Sequence, residues 1–278
     1  MKQHEYIWKS YDGLNYYGKS WSNGHHAKGV INLVHGIGEH CARYEELAQK
    51  FVENGFDVIS MDYRGHGKSE GKKGHTPSYK HYMYDIDMLL SKSMIIFPNL
   101  PVILYGHSMG GNLVLNYVLR KNPAIFSLIV TSPWLKLAFE SPAIKIKTGK
   151  ILKNIIPAFT QKTGLKTKNM SSNPDIVEKY ENDNLVHGKI TLRTFFEVRK
   201  AGEYAMENAS KLYLPTLLMH GSADMITSWE ASKETAAKSN YITFKLWENC
   251  YHELHNEPIK DEIFQYTINW LNQVIKQK

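Results

Sequence analysis

Apolar and polar positions change period several times along the chain, and each change marks an element. The first stretch alternates in EYIWKS (5–10) and again in LNYYGKSW (14–21), with Tyr11-Asp12-Gly13 between them. Asp-Gly supplies the φ > 0 turn of a hairpin. After the polar segment Ser22 to Lys28, the run VINLVHG (30–36) is apolar and β-branched, the mark of a strand buried on both faces. The spacing of Leu47, Ala48, Phe51 and Val52 predicts a helix over Ala42 to Asn54, closed by Gly55. The pattern then repeats. FDVISMD (56–62) reads as a strand, Tyr79 to Phe97 as a helix, PVILYG (101–106) as a strand, Asn112 to Lys121 as a helix and FSLIVTS (126–132) as a strand.

Alternation resumes with the strand PTLLMHG (215–221), a helix from about Ser228, the strand ITFKLW (242–247) and a last helix from about Pro258, with Asn256 as its cap. Strands alternating with helices imply right-handed crossovers, hence an α/β fold with a mostly parallel central sheet covered by helices on both faces. Between Trp134 and Leu214 the strand pattern stops. That stretch is lysine-rich, is broken at Pro142, Pro157 and Pro174, and otherwise reads as helical. The expected organisation is a core of residues 1–133 and 215–278, with 134–214 inserted as a helical cap over the C-terminal edge of the sheet.

Composition narrows the class. The 278 residues, 42% hydrophobic and 22% charged, suit an ordinary globular chain large enough to bury a sizeable core. Two cysteines, Cys41 and Cys250, make neither a disulfide framework nor a thiolate zinc cluster. The N-terminus has no signal-peptide run, and no later segment approaches a transmembrane span, so the expectation is a cytoplasmic protein. The net charge of +7 would suit nucleic acid, an anionic membrane or simple solubility. No zinc-finger spacing, RNP pattern or basic-aromatic alternation supports nucleic acid.

The chemistry lies at strand ends. Gly106-His107-Ser108-Met109-Gly110 fits Gly-x-Ser-x-Gly, and it directly follows a strand and precedes a helix, as a nucleophile elbow requires. Such a turn holds the serine in a strained conformation at a helix N-terminus, where developing negative charge is favoured. A serine hydroxyl needs a base, and the base needs an orienting acid. Asp224 and His252 follow Ser108 in the order used by α/β-hydrolases, each just after a strand, at the edge where open parallel sheets place their sites. Two rivals are set aside. Asp62 precedes the serine and reads as a structural partner of Arg64 or of loop amides. His255 lies against the last helix, where capping or packing is the ordinary role, and no further ligands accompany the two histidines for a metal. The oxyanion donors are expected at the amides of Met109 and of Ile37, the latter in His35-Gly36-Ile37-Gly38. His35 reads as a structural hydrogen-bonding group.

Four segments carry a resemblance: HGIGEHCARYEELA, MDYRGHGKSEGKKGH, YGHSMGG, and HGSADMI taken with YHELHNE. Together they resemble the monoacylglycerol lipases and lysophospholipase-like hydrolases of the α/β-hydrolase superfamily, over nearly the whole chain and most weakly in the cap, which the resemblance also implies. The resemblance implies Ser108 as nucleophile, Asp224 as acid, His252 as base and the amides of Ile37 and Met109 as oxyanion hole. It implies an ester of a single fatty acyl chain as substrate, monoacylglycerol first, without metal or cofactor. A general carboxylesterase, a lysophospholipase, a thioesterase and an inactive binding protein are the alternatives.

One cap segment has a pattern of its own. Ser141-Pro142 makes a helix start, and from there to Ile156 the residues Ile144, Thr148, Ile151, Leu152 and Ile155 share one sector. Lys145, Lys147, Lys150 and Lys153 occupy the rest. Either the apolar stripe packs down on the sheet domain with the lysines solvated, or the helix is a basic amphipathic lid resting on anionic membrane.

Overall fold

A computed structural model describes residues 1–24, 27–139 and 143–276. In chain order the elements are β1 (Lys2–Lys9), β2 (Asn15–Ser22), β3 (Val30–Val34), α1 (Glu45–Glu53), β4 (Asp57–Met61), α2 (Tyr79–Ile96), β5 (Val102–His107), α3 (Met109–Lys121) and β6 (Ser127–Thr131). There follow α4 (Ala143–Ile155), β7 (Thr160–Lys162), α5 (Pro174–Glu181), β8 (Lys189–Thr191), α6 (Leu192–Asn208), β9 (Thr216–Gly221), α7 (Trp229–Ala236), β10 (Ile242–Trp247) and α8 (Lys260–Lys276). Eight strands form one sheet in the order β1-β2-β4-β3-β5-β6-β9-β10. The expected hairpin pairs β1 with β2 antiparallel, β2 pairs antiparallel with β4, and every pair from β4 to β10 is parallel.

The period-2 geometry of the strands splits the core in two. Val30, Leu104, Leu128, Val130 and Leu218 face the layer made by α2, α3, α6 and α7. Ile31, Leu33, Ile103, Ile129 and Leu217 face the layer made by α1 and α8. These side chains are fully buried, each contributing about 1.5–3 kcal/mol. Strands buried on both faces read as continuous apolar runs, which is why they were visible in the sequence.

Three expectations shift. Helix α3 begins at Met109 rather than Asn112, because the elbow feeds directly into it. Asn256 does not cap α8: Leu254–Asn256 form a 3-10 turn, the Asn256 amide donates to Glu253, and α8 begins four residues later. The segment between β6 and β9 is not wholly helical, since β7 and β8 pair as a two-stranded ribbon. Each is three residues long and largely polar, too short to register as a period.

Helix α6 joins this segment to the elbow helix. Asn112 and Asn116 of α3 donate to the carbonyls of Val198 and Ala201, at 3.1 and 2.9 Å. Gly202 lets the backbone of the chain after β6 come close: a Cβ there would stand 2.3 Å from the Leu135 carbonyl oxygen. Alanine would raise helix propensity by about 1 kcal/mol, but overpacking costs typically 1–3 kcal/mol. Gly202→Ala should therefore lower stability by up to about 2 kcal/mol, read as a lower urea midpoint with an unchanged slope.

Candidate active site

The end of β5 and the start of α3 leave Ser108 no room to adopt an ordinary conformation. Its φ of 54° and ψ of −117° are strained for a residue with a side chain. The turn is held from both sides. The Ser108 amide donates to Thr131 O at 3.0 Å, and Ser108 O accepts from Trp134 N at 2.9 Å. The glycine of the helix's first turn is required by contact, since a Cβ on Gly110 would stand 2.1 Å from Val34 O. Ser108 Oγ makes no hydrogen bond with another described residue and opens on a cavity of about 330 Å³.

Asp224 follows β9 and is buried, with every acceptor position occupied. Oδ1 accepts from the amides of Ile226 and Thr227 at 2.7 and 3.1 Å. Oδ2 accepts from His252 Nδ1 at 2.7 Å, His220 Nε2 at 2.9 Å and Thr227 Oγ1 at 2.9 Å. Burial alone would raise this carboxyl's pKa, but the His252 and His220 imidazoles outweigh it and hold it well below the usual carboxylate range. Because a carboxylate only accepts, His252 carries its proton on Nδ1 and leaves Nε2 free to take one. Burial opposes charging of His252, but Asp224, with Glu253 and Glu39 behind it, raises its pKa above the ordinary 6.5. The ring lies 4.8 Å from that of His107, the neighbour of Ser108, and Ser132 Oγ donates to His252 O at 2.8 Å.

His255 is placed differently. It stacks on Tyr44 at 4.6 Å, both its nitrogens lack hydrogen-bond partners among the described residues, and burial lowers its pKa to about 4. Asp62 accepts from the amides of Cys41 and Lys68 at 2.7 and 2.9 Å, while Arg64 pairs with Asp85 and Asp12. Among the described residues no cluster of His, Cys, Asp or Glu is arranged to hold a metal ion.

The loop after β3 shows how a peptide can be aimed. Gly36 O accepts from Tyr63 Oη at 2.8 Å and lies 2.9 Å from His35 Nδ1. In a planar trans peptide the following N–H points the opposite way, so holding Gly36 O turns the Ile37 amide away from Tyr63. Ile37 and Ser108 line the same cavity. Neither the Ile37 nor the Met109 amide donates to another described residue.

Sequence reasoning missed His220 and Thr227 on Asp224, and it missed the buried ion cluster beneath the site. Glu39 Oε1 accepts from Gly36 N at 2.9 Å, Arg43 Nη1 donates to Glu39 Oε2, and Arg43 makes two 2.9 Å bonds to Glu253. One guanidinium thus joins the Ile37 loop to the His252 loop. Burial raises both carboxyls; Arg43 overcomes this for Glu253, lowered to about 2, while Glu39 stays raised. The signal was present, since Glu39 and Arg43 are i,i+4 neighbours within HGIGEHCARYEELA and Glu253 adjoins His252.

Fold and site together define a serine hydrolase of the α/β-hydrolase fold. The chain belongs to the serine aminopeptidase S33 family, whose pattern matches residues 25–259. It is 30% identical to phospholipase YtpA of Bacillus subtilis, over 88% of this chain and 96% of that protein. It is 36% identical to an abhydrolase domain-containing protein of Dictyostelium discoideum over 89% of its own length, but spans only 26% of that protein. Its backbone superposes on the crystal structure of Paleococcus ferrophilus monoacylglycerol lipase with a TM-score of 0.83, at 29% identity and full coverage of both chains.

Removing one partner of a buried pair leaves an uncompensated charge, at about 3–5 kcal/mol. Arg43→Met should cost that much in chemical denaturation, and adding Glu253→Gln should restore part of it. Glu253 titrates at about 2 in the folded protein against an ordinary 4.5, so the Arg43 contribution is full above pH 4.5 and fades as pH falls toward 2. The gap between wild type and Arg43→Met should narrow over that window.

Proposed function

We propose that this hydrolase cleaves esters of single fatty acyl chains, with monoacylglycerol as the reference substrate, through an acyl-enzyme on Ser108. The carrying observation is the lining of the Ser108 cavity. Leu137, Phe139, Ile146, Leu165, Phe195 and Phe196 give it apolar walls suited to an alkyl chain. An aminopeptidase substrate brings an α-ammonium that wants a carboxylate, and among the described residues no Asp or Glu lines this cavity, whose charged group there is Lys162. That favours an ester over a peptide. A structure of Bacillus coagulans carboxyl esterase shares the fold at a TM-score of 0.82; walls this apolar favour a long acyl chain over a small one.

In this mechanism Ser108 Oγ attacks the ester carbonyl while His252 Nε2 takes its proton. Asp224 holds the Nδ1–H tautomer and stabilises the imidazolium. The amides of Ile37 and Met109 meet the oxyanion, the first aimed by Tyr63 and the second lying at the N-terminus of α3. The alcohol leaves with the proton from His252, and water repeats the steps on the acyl-enzyme. Residues 134–214 act as the cap that confines the acyl chain.

The cap also offers a membrane-facing surface. Its helix α4 begins at Ala143, the proposed Ser141-Pro142 start lying outside the described residues. The apolar stripe does not pack down on the sheet domain: Ile151, Leu152 and Ile155 are 65%, 40% and 69% exposed, and Ile156 and Phe159 extend the patch. The inward side is Ile146, on the Ser108 cavity, Gly149, against Phe196, and Lys153, whose ammonium sits 5.5 Å from that ring. A helix presenting isoleucines outward with lysines beside them suits the interface of an anionic bilayer, from which a single-chain lipid would enter. No helix among the described residues is long and apolar enough to cross a membrane.

Three experiments test these readings. Ser108→Ala should lose nearly all esterase activity with unchanged melting, and a fluorophosphonate should add one mass on the peptide containing Ser108. Since neutral His252 is the base, kcat/KM should rise with pH through an apparent pKa above 6.5, and His252→Ala, unlike His255→Ala, should remove the activity. Labelling at another serine would sink the assignment. For the membrane face, Ile151→Ser with Ile155→Ser should weaken sedimentation with anionic vesicles by about tenfold or more, since each buried isoleucine contributes about 1.5–3 kcal/mol. Hydrolysis of a short soluble ester should be retained, and unchanged vesicle binding would leave α4 a roof only.

A further inference from the structure

His220 lies near the end of β9 and is fully buried. Two residues after Leu218, it turns to the same face of the sheet, the one covered by α7. Its Nδ1 lies 2.8 Å from Ser232 Oγ on α7, and its Nε2 lies 2.9 Å from Asp224 Oδ2. Because a carboxylate only accepts, Nε2 carries the ring proton, and Nδ1 accepts from the Ser232 hydroxyl. Both nitrogens are thus bonded, which offsets the cost of burying a polar ring in an apolar strand. The strand end is pressed against the base loop, since a Cβ on Gly221 would stand 2.2 Å from Cys250 O. Asp224 therefore sits between two imidazoles, with His252 on the catalytic side and His220, backed by Ser232, on the other. His220 does not line the Ser108 cavity, so it touches no substrate.

We propose that His220 is a positioning residue that shares the Asp224 charge with His252 and so keeps the catalytic base neutral at rest. The proposal rests on the reading of Ser108, Asp224 and His252 as a triad. A base must be unprotonated before it can take the serine proton. Most charge around His252 works against this: Asp224 at 2.7 Å, Glu253 beside it in the chain and Glu39 across the loop all favour the imidazolium. Among the described residues Arg43 answers the two glutamates, while burial keeps the nearby His107 and His255 rings neutral. None of these groups touches the oxygen that His252 Nδ1 bonds. His220 does, because its N–H takes a second lone pair of Asp224 Oδ2. An oxygen shared between two N–H donors is a weaker acceptor toward each, so it stabilises the His252 cation less. Thr227 adds less, since it divides one hydroxyl hydrogen between Asp224 Oδ2 at 2.9 Å and Ser132 O at 3.1 Å.

The test follows kcat and KM for a short soluble ester, p-nitrophenyl acetate, across pH in wild type, His220→Leu and His220→Gln. Glutamine places an amide N–H at nearly the reach of imidazole Nε2, whereas leucine offers none. In His220→Leu the rising limb of kcat/KM should move to higher pH by about 0.5–1 unit, with KM little changed. His220→Gln should bring the limb back to its wild-type position. A role in packing alone would instead lower the melting temperature of both variants and leave the limb in place. A limb that stays put in His220→Leu, moves to lower pH, or moves equally in both variants overturns the proposal. Should the leucine variant not fold, Ser232→Ala decides. The Ser232 hydroxyl polarises the ring and strengthens its Nε2–H, so losing it should move the limb upward by about 0.3 unit. An unmoved limb there overturns the proposal as well. Failure of the triad reading looks different: His252→Ala would then keep its activity.

Discussion

Arg43 is a buried guanidinium on which two active-site loops close. It holds Glu253, beside His252, through two hydrogen bonds, and it holds Glu39, whose other oxygen fixes Gly36 in the loop that carries Ile37. A guanidinium keeps its charge even when buried, and its planar fork engages a carboxylate along two lines. Each loop is therefore fixed in orientation as well as in distance. The loops after β3 and β10 lie far apart in the chain, and no strand pairing links their tips. One side chain from the short 3-10 turn before α1 does so.

Around that clamp the site is built by saturation. Asp224 spends five acceptor contacts on two amides, two imidazoles and a hydroxyl, which leaves the carboxylate neither free to rotate nor inclined to protonate. Tyr63 and His35 do the same for the Gly36 carbonyl. In a low-dielectric site such preorganisation costs no rearrangement when charge develops. The strained backbone at Ser108 is held by hydrogen bonds to β6 and from Trp134, three residues beyond that strand. The elbow is thereby tied to the chain that follows β6, and α6 strengthens the link through Asn112 and Asn116.

Helix α4 divides polarity in an unusual direction. It turns Ile146, Gly149 and Lys153 toward the body and Ile151 and Ile155 toward solvent, with Gly149 lying against Phe196. Hydrophobic periodicity locates an amphipathic helix but does not say which side faces inward when the partner is a neighbouring aromatic and not a sheet.

What the sequence alone determined is the layer structure and the chemical row. Doubly buried strands had to be continuous apolar runs, the elbow needed glycine where Val34 leaves no room for a Cβ, and Ser108, Asp224 and His252 each follow a strand in the order that parallel crossovers bring to one edge. Only the tertiary structure decided the rest. It put His220 and Thr227 on Asp224, gave Arg43 to Glu253 across 210 positions of sequence, left His255 stacked on Tyr44 and turned the α4 stripe outward. Local pattern records which face of an element is apolar and where a turn must be tight. Partners distant in the chain meet only because the sheet fixes where every loop begins, and no period in the sequence carries that information.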